Sequence, residues 1–292
     1  MDILILGGAG QVGLELQRAT WPDGLHPIAP TRVELDITDT AAIGRAVAAR
    51  PWAAVVNVAA YTAVDKAESD VEAAWRLNAL APAVLAHETA KAGIPIVHVS
   101  TDYVFDGSKA GDYEVDDPVA PLGVYGASKE GGEQGVRTGN PRHAIVRTAW
   151  VVSPFRANFV KTMLRLAGER PSLRVVDDQH GCPTVAGDLA RAIVTIAARL
   201  ATDPAAPAGT YHFANTGHTT WCGLARAVME FSAEQGGASV PVAGIGTADY
   251  PTPARRPANS RLSTGRITRD YGISPRPWRD AVKDVVAELS RT

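Results

Sequence analysis

Tyr125 and Lys129 stand four positions apart in the stretch YGASK. On a helix that spacing puts both side chains on one face, one turn apart. A free phenol has a pKa near ~10 and carries protons poorly at neutral pH, and a nearby ammonium lowers that value by favouring the phenolate. The pair reads as a proton donor with its activating lysine, which can also hydrogen-bond a cofactor ribose. Upstream, STDYVFDG at 100–107 follows an apolar run. Thr101 falls just past a predicted strand, on the carboxyl edge where doubly wound sheets bind ligands. Its hydroxyl is placed to hold a carbonyl oxygen beside Tyr125, the geometry that general acid catalysis requires.

A second motif lies about a hundred residues earlier, where GGAGQVG at 7–13 follows the apolar run at 3–6. Gly7, Gly10 and Gly13 recur at intervals of three. They let the chain turn sharply from strand to helix, and a Cβ there would obstruct a pyrophosphate lying on the backbone. The helix opening at Gln11 and Val12 then offers free N–H groups and a positive dipole end to phosphates. A carboxylate roughly 20 residues further on usually selects NAD by binding the ribose 2′-hydroxyl. Here PTRVELD at 30–36 brings Arg32 first, with Glu34 and Asp36 after it. Arg32 reads as a clamp for a 2′-phosphate or as a solvated surface arginine, and Asp36 and Ile37 stand toward the adenine side. NVAAY at 57–61 ends a later strand, where the small side chains of Ala59 and Ala60 let the backbone approach a cofactor, and Asn78 is placed to brace that region. In this order the motifs imply reduction of a carbonyl by NADPH, with NADH as an alternative.

These side chains need a frame, and the hydrophobic pattern supplies one. Val- and Ile-rich runs at 2–6, 26–29, 54–58, 94–99 and 144–147 are nearly continuous, as parallel strands buried on both faces are. Helical segments at 11–19, 40–49, 70–92 and 125–137 alternate with them. The expectation is an α/β fold, a Rossmann-type doubly wound parallel sheet with a smaller C-terminal α/β substrate-binding lobe. Residues 1–150 form the dinucleotide-binding domain and 151–292 mainly the substrate lobe, with about 185–201 returning to pack on the first. Helices are expected at 158–167, 185–201, 220–234 and 278–289, a surface loop at 201–209, and a long irregular segment carrying arginines at 241–259.

A net charge of −2 excludes the electrostatic footprint of a nucleic-acid polymer partner or an anionic membrane surface. No apolar stretch approaches the ~20 residues of a membrane span. Cys182 and Cys222 are too few for a disulfide framework. A cytoplasmic protein is expected.

GGAGQVG, NVAAYTAVDKAE, STDYVFDG, VYGASK, VRTAWVV, NFVKTMLRLA, DDQHGCPT and PTPARRPANSRL follow one another along the whole chain. In this succession the sequence resembles the dTDP-4-dehydrorhamnose reductases of the extended short-chain dehydrogenase/reductase superfamily. The resemblance implies a Thr101–Tyr125–Lys129 triad and a dTDP-6-deoxy-4-ketohexose substrate. It implies that Gly7, Gly10, Gln11, Val12, Asp36, Ala59, Ala60, Tyr61 and Asn78 line the cofactor. It places Asp102, Tyr103 and Trp150 at the sugar and Arg256 at the substrate diphosphate. Some members bridge a dimer with Mg²⁺ through three acids, which fall here at Glu15, Asp188 and Glu288, so the protein is expected as a monomer or homodimer.

Three rivals remain. The first is another nucleotide-sugar 4-ketoreductase, of 6-deoxytalose or dihydrostreptose type. The second is an epimerase or dehydratase, against which Tyr103 stands where a dehydratase has a glutamate. The third is a non-catalytic NADP-binding regulatory subunit, such as that of methionine adenosyltransferase.

Overall fold

The inner strands of the main sheet are short, rich in aliphatic residues and buried on both sides, so alternate side chains feed two separate cores. The computed structural model describes residues 1–291. Along the chain lie β1 (Asp2–Leu6), α1 (Gln11–Arg18), β2 (His26–Ile28), α2 (Thr40–Ala48), β3 (Trp52–Asn57), α3 (Val64–Ala67), α4 (Val71–Trp75) and α5 (Ala81–Lys91). Then come β4 (Ile96–Thr101), α6 (Val124–Gly139), β5 (His143–Thr148), β6 (Val151–Val152), α7 (Phe159–Glu169), β7 (Leu173–Val176), β8 (His180–Gly181) and β9 (Thr184–Val185). The remainder is α8 (Ala186–Thr202), β10 (Gly209–His212), β11 (Thr219–Thr220), α9 (Trp221–Glu234), β12 (Val242–Ile245), α10 (Gly265–Tyr271) and α11 (Trp278–Leu289).

The six-stranded sheet runs β2-β1-β3-β4-β5-β10, and every pairing in it is parallel. Ile3, Ile5, Val56, Val97 and Val146 face one core, shared with Leu16 of α1 and Leu189, Ile193 and Ile196 of α8. Leu4, Leu6, Val55, Ile96 and Ile145 face the other, with Ile43 of α2, Leu85 of α5 and Val136 of α6. The chain goes from β1 outward to β2 and returns to β3 on the other side of β1. That reversal opens a crevice beyond the carboxyl ends of β1 and β3, the place where open α/β sheets bind ligands. A third core, built on α7, α9 and α11, gathers Val160, Met163, Leu224, Val228, Phe231, Val282 and Val286.

The five expected main-sheet strands are all present. The sixth, β10, comes from GTYH, directly after the segment expected as a loop, and Gly209 is its first residue. It is too short and too close to prolines to carry a periodic signal, and its pairing with β5 (Gly209↔Ala144) makes it a strand. Likewise Val242–Ile245, inside the stretch expected to be irregular, pairs in parallel with β7. The helix expected over 70–92 runs through a π-helical turn at Arg76–Leu80 between α4 and α5. One extra residue per turn there brings Asn78 inward.

Candidate active site

Gly7, just after β1, has φ +87, a left-handed conformation open to glycine, and a Cβ on it would stand 2.6 Å from the Ala59 nitrogen. A Cβ on Gly13 would overlap the Gly7 carbonyl oxygen. The turn therefore packs backbone on backbone between β1, α1 and the end of β3. Gly10 is the N-cap of α1 and provides no side-chain cap, so the first amides of the helix keep free donors. Above them lies a cleft of about 670 Å³ lined by Gly7, Gly10, Gln11, Val12, Arg32, Asp36, Ile37, Ala59, Ala60, Thr101, Asp102, Tyr103, Tyr125, Lys129 and Trp150. Sites for small organic ligands typically span 300–1,000 Å³. Ser100 Oγ, Thr148 Oγ1 and Asp102 Oδ2 are buried without a partner, and all three residues line this cleft. Unpaired buried polar atoms beside a glycine cradle at a helix N-terminus fit a dinucleotide and a polar substrate.

Thr101 closes β4 and caps the single 3₁₀ turn that follows, accepting from the Tyr103 amide at 3.2 Å. Its hydroxyl donates to Asp102 Oδ1 at 3.0 Å. Burial raises the Asp102 carboxyl to about 6. Tyr125 is the second residue of α6 and lines the same cleft as Thr101. Burial pushes the Tyr125 phenol above its ordinary range; the Thr101 contact opposes that shift and the Asp102 charge adds to it. Lys129 is buried, and its Nζ donates to the Val99 carbonyl at 2.7 Å and lies 3.4 Å from His98 Nε2. Burial outweighs the other influences on the Tyr125 phenol, and the Lys129 amine is directed at β4. Tyr103 packs edge-on against Tyr125 at 5.4 Å, and its hydroxyl, pushed up to about 12 by burial, accepts from Arg256 Nη1 at 3.2 Å.

At the other end of the cleft Arg32 is exposed and pairs with Asp36 at 3.3 Å. Asp36 also accepts from the Thr38 amide and hydroxyl at 2.9 and 2.7 Å, the amide bond being the main cause of its lowered pKa. Trp150 holds φ +50, a conformation that costs a non-glycine residue about 1–3 kcal/mol. Its indole stacks on Trp221 at 3.8 Å, and a Cβ on Gly181 would stand 2.7 Å from the ring.

Three expected ligand residues stand off the cleft wall. Tyr61 turns its hydroxyl to Asp70 at 2.9 Å. Asn78 is fully buried: its Oδ1 accepts from the Tyr61 amide at 2.8 Å, and its Nδ2 donates to the Tyr61 carbonyl and to Ser128 Oγ at 3.1 and 3.0 Å. It ties the end of β3 to α6. Arg256 is engaged by Asp65 at 2.6 Å as well as by Tyr103. Conversely, Arg156 lines the cleft and was not anticipated; at φ +57 it donates through Nε to the Ala9 carbonyl at 2.7 Å. No local pattern marks it, because its partner lies 147 positions away.

The Mg²⁺ expectation is not supported. Asp188 is held by Arg276 at 3.0 Å, by Asn215 at 2.7 Å and by Arg191. Glu288 pairs with Arg18 at 2.7 Å, and burial raises the Glu15 carboxyl beside Ser153. Guanidinium groups and an amide occupy Asp188 and Glu288, and the described residues hold no cluster of three groups able to bind a metal ion.

A parallel sheet that reverses beside β1, with a glycine cradle and a Tyr–Lys helix on one cleft, places the fold in the extended short-chain dehydrogenase/reductase class. Within it, the chain belongs to the RmlD substrate binding domain family, whose model matches residues 1–291. It is 40% identical over 290 residues to a dTDP-4-dehydrorhamnose reductase of Sinorhizobium fredii, covering 99% of this chain and 98% of that one. A crystal structure of such a reductase from Clostridium acetobutylicum superposes with a TM-score of 0.92 at 35% identity, covering 99% of each chain. Another from Bacillus anthracis, in complex with NADP, gives 0.91 at 32% identity, covering 98% of this chain and 99% of that one.

Proposed function

We propose that this chain reduces the C4 carbonyl of dTDP-6-deoxy-L-lyxo-4-hexulose (dTDP-4-dehydrorhamnose) to dTDP-L-rhamnose with NADPH, NADH serving as the weaker donor. The observation that carries this reading is Tyr125 beside Thr101 on the carboxyl edge of β4, in the same cleft as the Gly7–Gly13 cradle. The names of the full-length relatives support the substrate. When bound, the nicotinamide supplies hydride to C4 of the sugar. Thr101 holds the carbonyl oxygen, and Tyr125 gives that oxygen its proton as the C–H bond forms. A phenol kept protonated by burial is suited to donating in that direction. Lys129 binds the nicotinamide ribose and exchanges protons with Tyr125. The cradle and the first turn of α1 hold the pyrophosphate, and Arg32 meets the 2′-phosphate in exchange for Asp36. Asp102, Tyr103 and Trp150 form the sugar wall, and Arg256 meets the substrate diphosphate in exchange for Asp65.

In this reading residues 1–150 carry the cofactor and 151–292 mainly the substrate, and the reaction takes place in the cytoplasm. Among the described residues no helix is long and apolar enough to cross a membrane.

The test is NADPH oxidation with the 4-keto sugar nucleotide, followed by stereochemical analysis of the product. Turnover to the rhamno product supports the reading. Turnover to the C4 epimer makes the chain a different 4-ketoreductase, and cofactor binding without turnover makes it a binding module.

A further inference from the structure

A chain of buried hydrogen bonds runs from the cleft wall to Lys129, and its donor and acceptor roles can be assigned in order. The Ala59 N–H can only donate, and it meets Asn57 Oδ1 at 3.1 Å. That contact orients the Asn57 amide, so its Nδ2 faces His98 Nδ1 at 3.2 Å. An amide NH₂ donates, so His98 Nδ1 accepts and carries no proton. Asn57 and His98 are both fully buried, and burial holds the imidazole far below its ordinary pKa, hence neutral. A neutral imidazole keeps one N–H. In His98 it must be on Nε2, the nitrogen that faces Lys129 Nζ at 3.4 Å.

An ammonium has three donors and no acceptor. A charged Lys129 would therefore set N–H against N–H. A neutral amine instead accepts from Nε2–H through its lone pair while donating to the Val99 carbonyl at 2.7 Å. The other groups around it do not reverse this. Glu133, one turn further along α6, favours the ammonium, but its oxygens are taken by Arg147 of β5 at 2.8 and 2.7 Å and by Arg137 at 3.2 Å. Tyr125, one turn back, is held protonated by burial.

We propose that Asn57 and the Ala59 amide lock His98 as its Nε2–H tautomer, and that His98 is a positioning residue whose Nε2–H faces Lys129, donates to its amine form and so disfavours the ammonium. Burial lowers Lys129 to about 8, so the ammonium still predominates at neutral pH and the amine form is within reach. The lysine thus titrates close to neutral pH, as a group that exchanges protons with Tyr125 must; this consequence rests on the reductase reading above. Ala59 lies on the cleft wall. Displacement of its amide therefore reaches Lys129 through two side chains.

Two spectra test the proposal on the whole, unreacted protein. The ¹⁵N spectrum of histidine-labelled wild type reads the tautomer without any substitution, the His98 signals being those lost in His98→Gln. The expected form is protonated at Nε2 and bare at Nδ1; an Nδ1–H tautomer or an imidazolium overturns the proposal. The chain has six lysines, so ¹³C-lysine titrations resolve, with Lys129→Met assigning the signal. In His98→Gln the side-chain carbonyl can face Nζ and favour the ammonium, so the Lys129 midpoint should rise by about one pH unit. The other five lysines should not move. An unchanged midpoint in a folded His98→Gln protein also overturns the proposal. Neither spectrum needs substrate. Loss of the reductase reading in the turnover assay therefore leaves this result standing, and turnover with the wrong tautomer defeats only the role given to His98.

Discussion

Replacing Asp102 with asparagine should stabilise the fold increasingly as pH rises. The carboxyl is 3% exposed, one oxygen accepts from Thr101, and the other has no partner. Burial lifts its pKa from 3.8 to about 6. Between those values the folded chain holds a proton that the unfolded chain has released. Stability is therefore highest below pH 3.8, falls as pH climbs, and levels off above 6. A gap of about two pH units at ~1.4 kcal/mol each is a cost of about 3 kcal/mol at pH 7, about half of it already present at pH 5. Asparagine keeps an oxygen for the Thr101 hydroxyl, fills the same volume and never ionises. The stability difference between Asp102→Asn and wild type should thus widen by about 2–3 kcal/mol from pH 4 to pH 7. Urea unfolding followed by circular dichroism at several pH values measures it, with the denaturant slope expected to stay constant. Two stability curves that run parallel would show that Asp102 is not held against ionisation, and the reasoning would fail.

Tyr125→Phe should lower kcat by about 10²–10⁴-fold with cofactor affinity near normal, because only the donated proton is lost; steady-state kinetics showing wild-type turnover would remove Tyr125 from the chemistry. Gly13→Ala should abolish dinucleotide binding in a fluorescence titration, since its Cβ overlaps the Gly7 carbonyl and must push the cradle apart; normal affinity would mean the cofactor lies elsewhere. Arg32→Ala should reduce kcat/KM for NADPH by less than about tenfold and leave NADH nearly unchanged, because an exposed guanidinium is screened by solvent and salt. An unchanged NADPH/NADH ratio at one ionic strength would show Arg32 to be a bystander.

The residue string alone determined whatever depends on near neighbours in the chain. Aliphatic runs bounded by Gly, Pro and Asn specify five strands of the main sheet, because burial on both faces leaves no room for polar alternation. The glycine spacing specifies a strand–turn–helix, and the i,i+4 pair specifies a shared helix face. Tertiary packing decided the rest. The sixth strand exists because β5 offers GTYH an edge. The position of Arg156 against Ala9, and the withdrawal of Tyr61, Asn78 and Arg256 from the cleft wall, depend on partners brought together by folding. So does the fate of the three acids: Asp188 and Glu288 are met by arginines, and Glu15 lies beside Ser153, rather than the three sharing an ion. The sharpest divergence is at Lys129. The i,i+4 spacing to Tyr125 is local and was legible, but the partners of the amine are the Val99 carbonyl and His98, both on β4. Protonation states follow burial and the nearest fixed donor or acceptor, and both are properties of the folded packing rather than of sequence spacing.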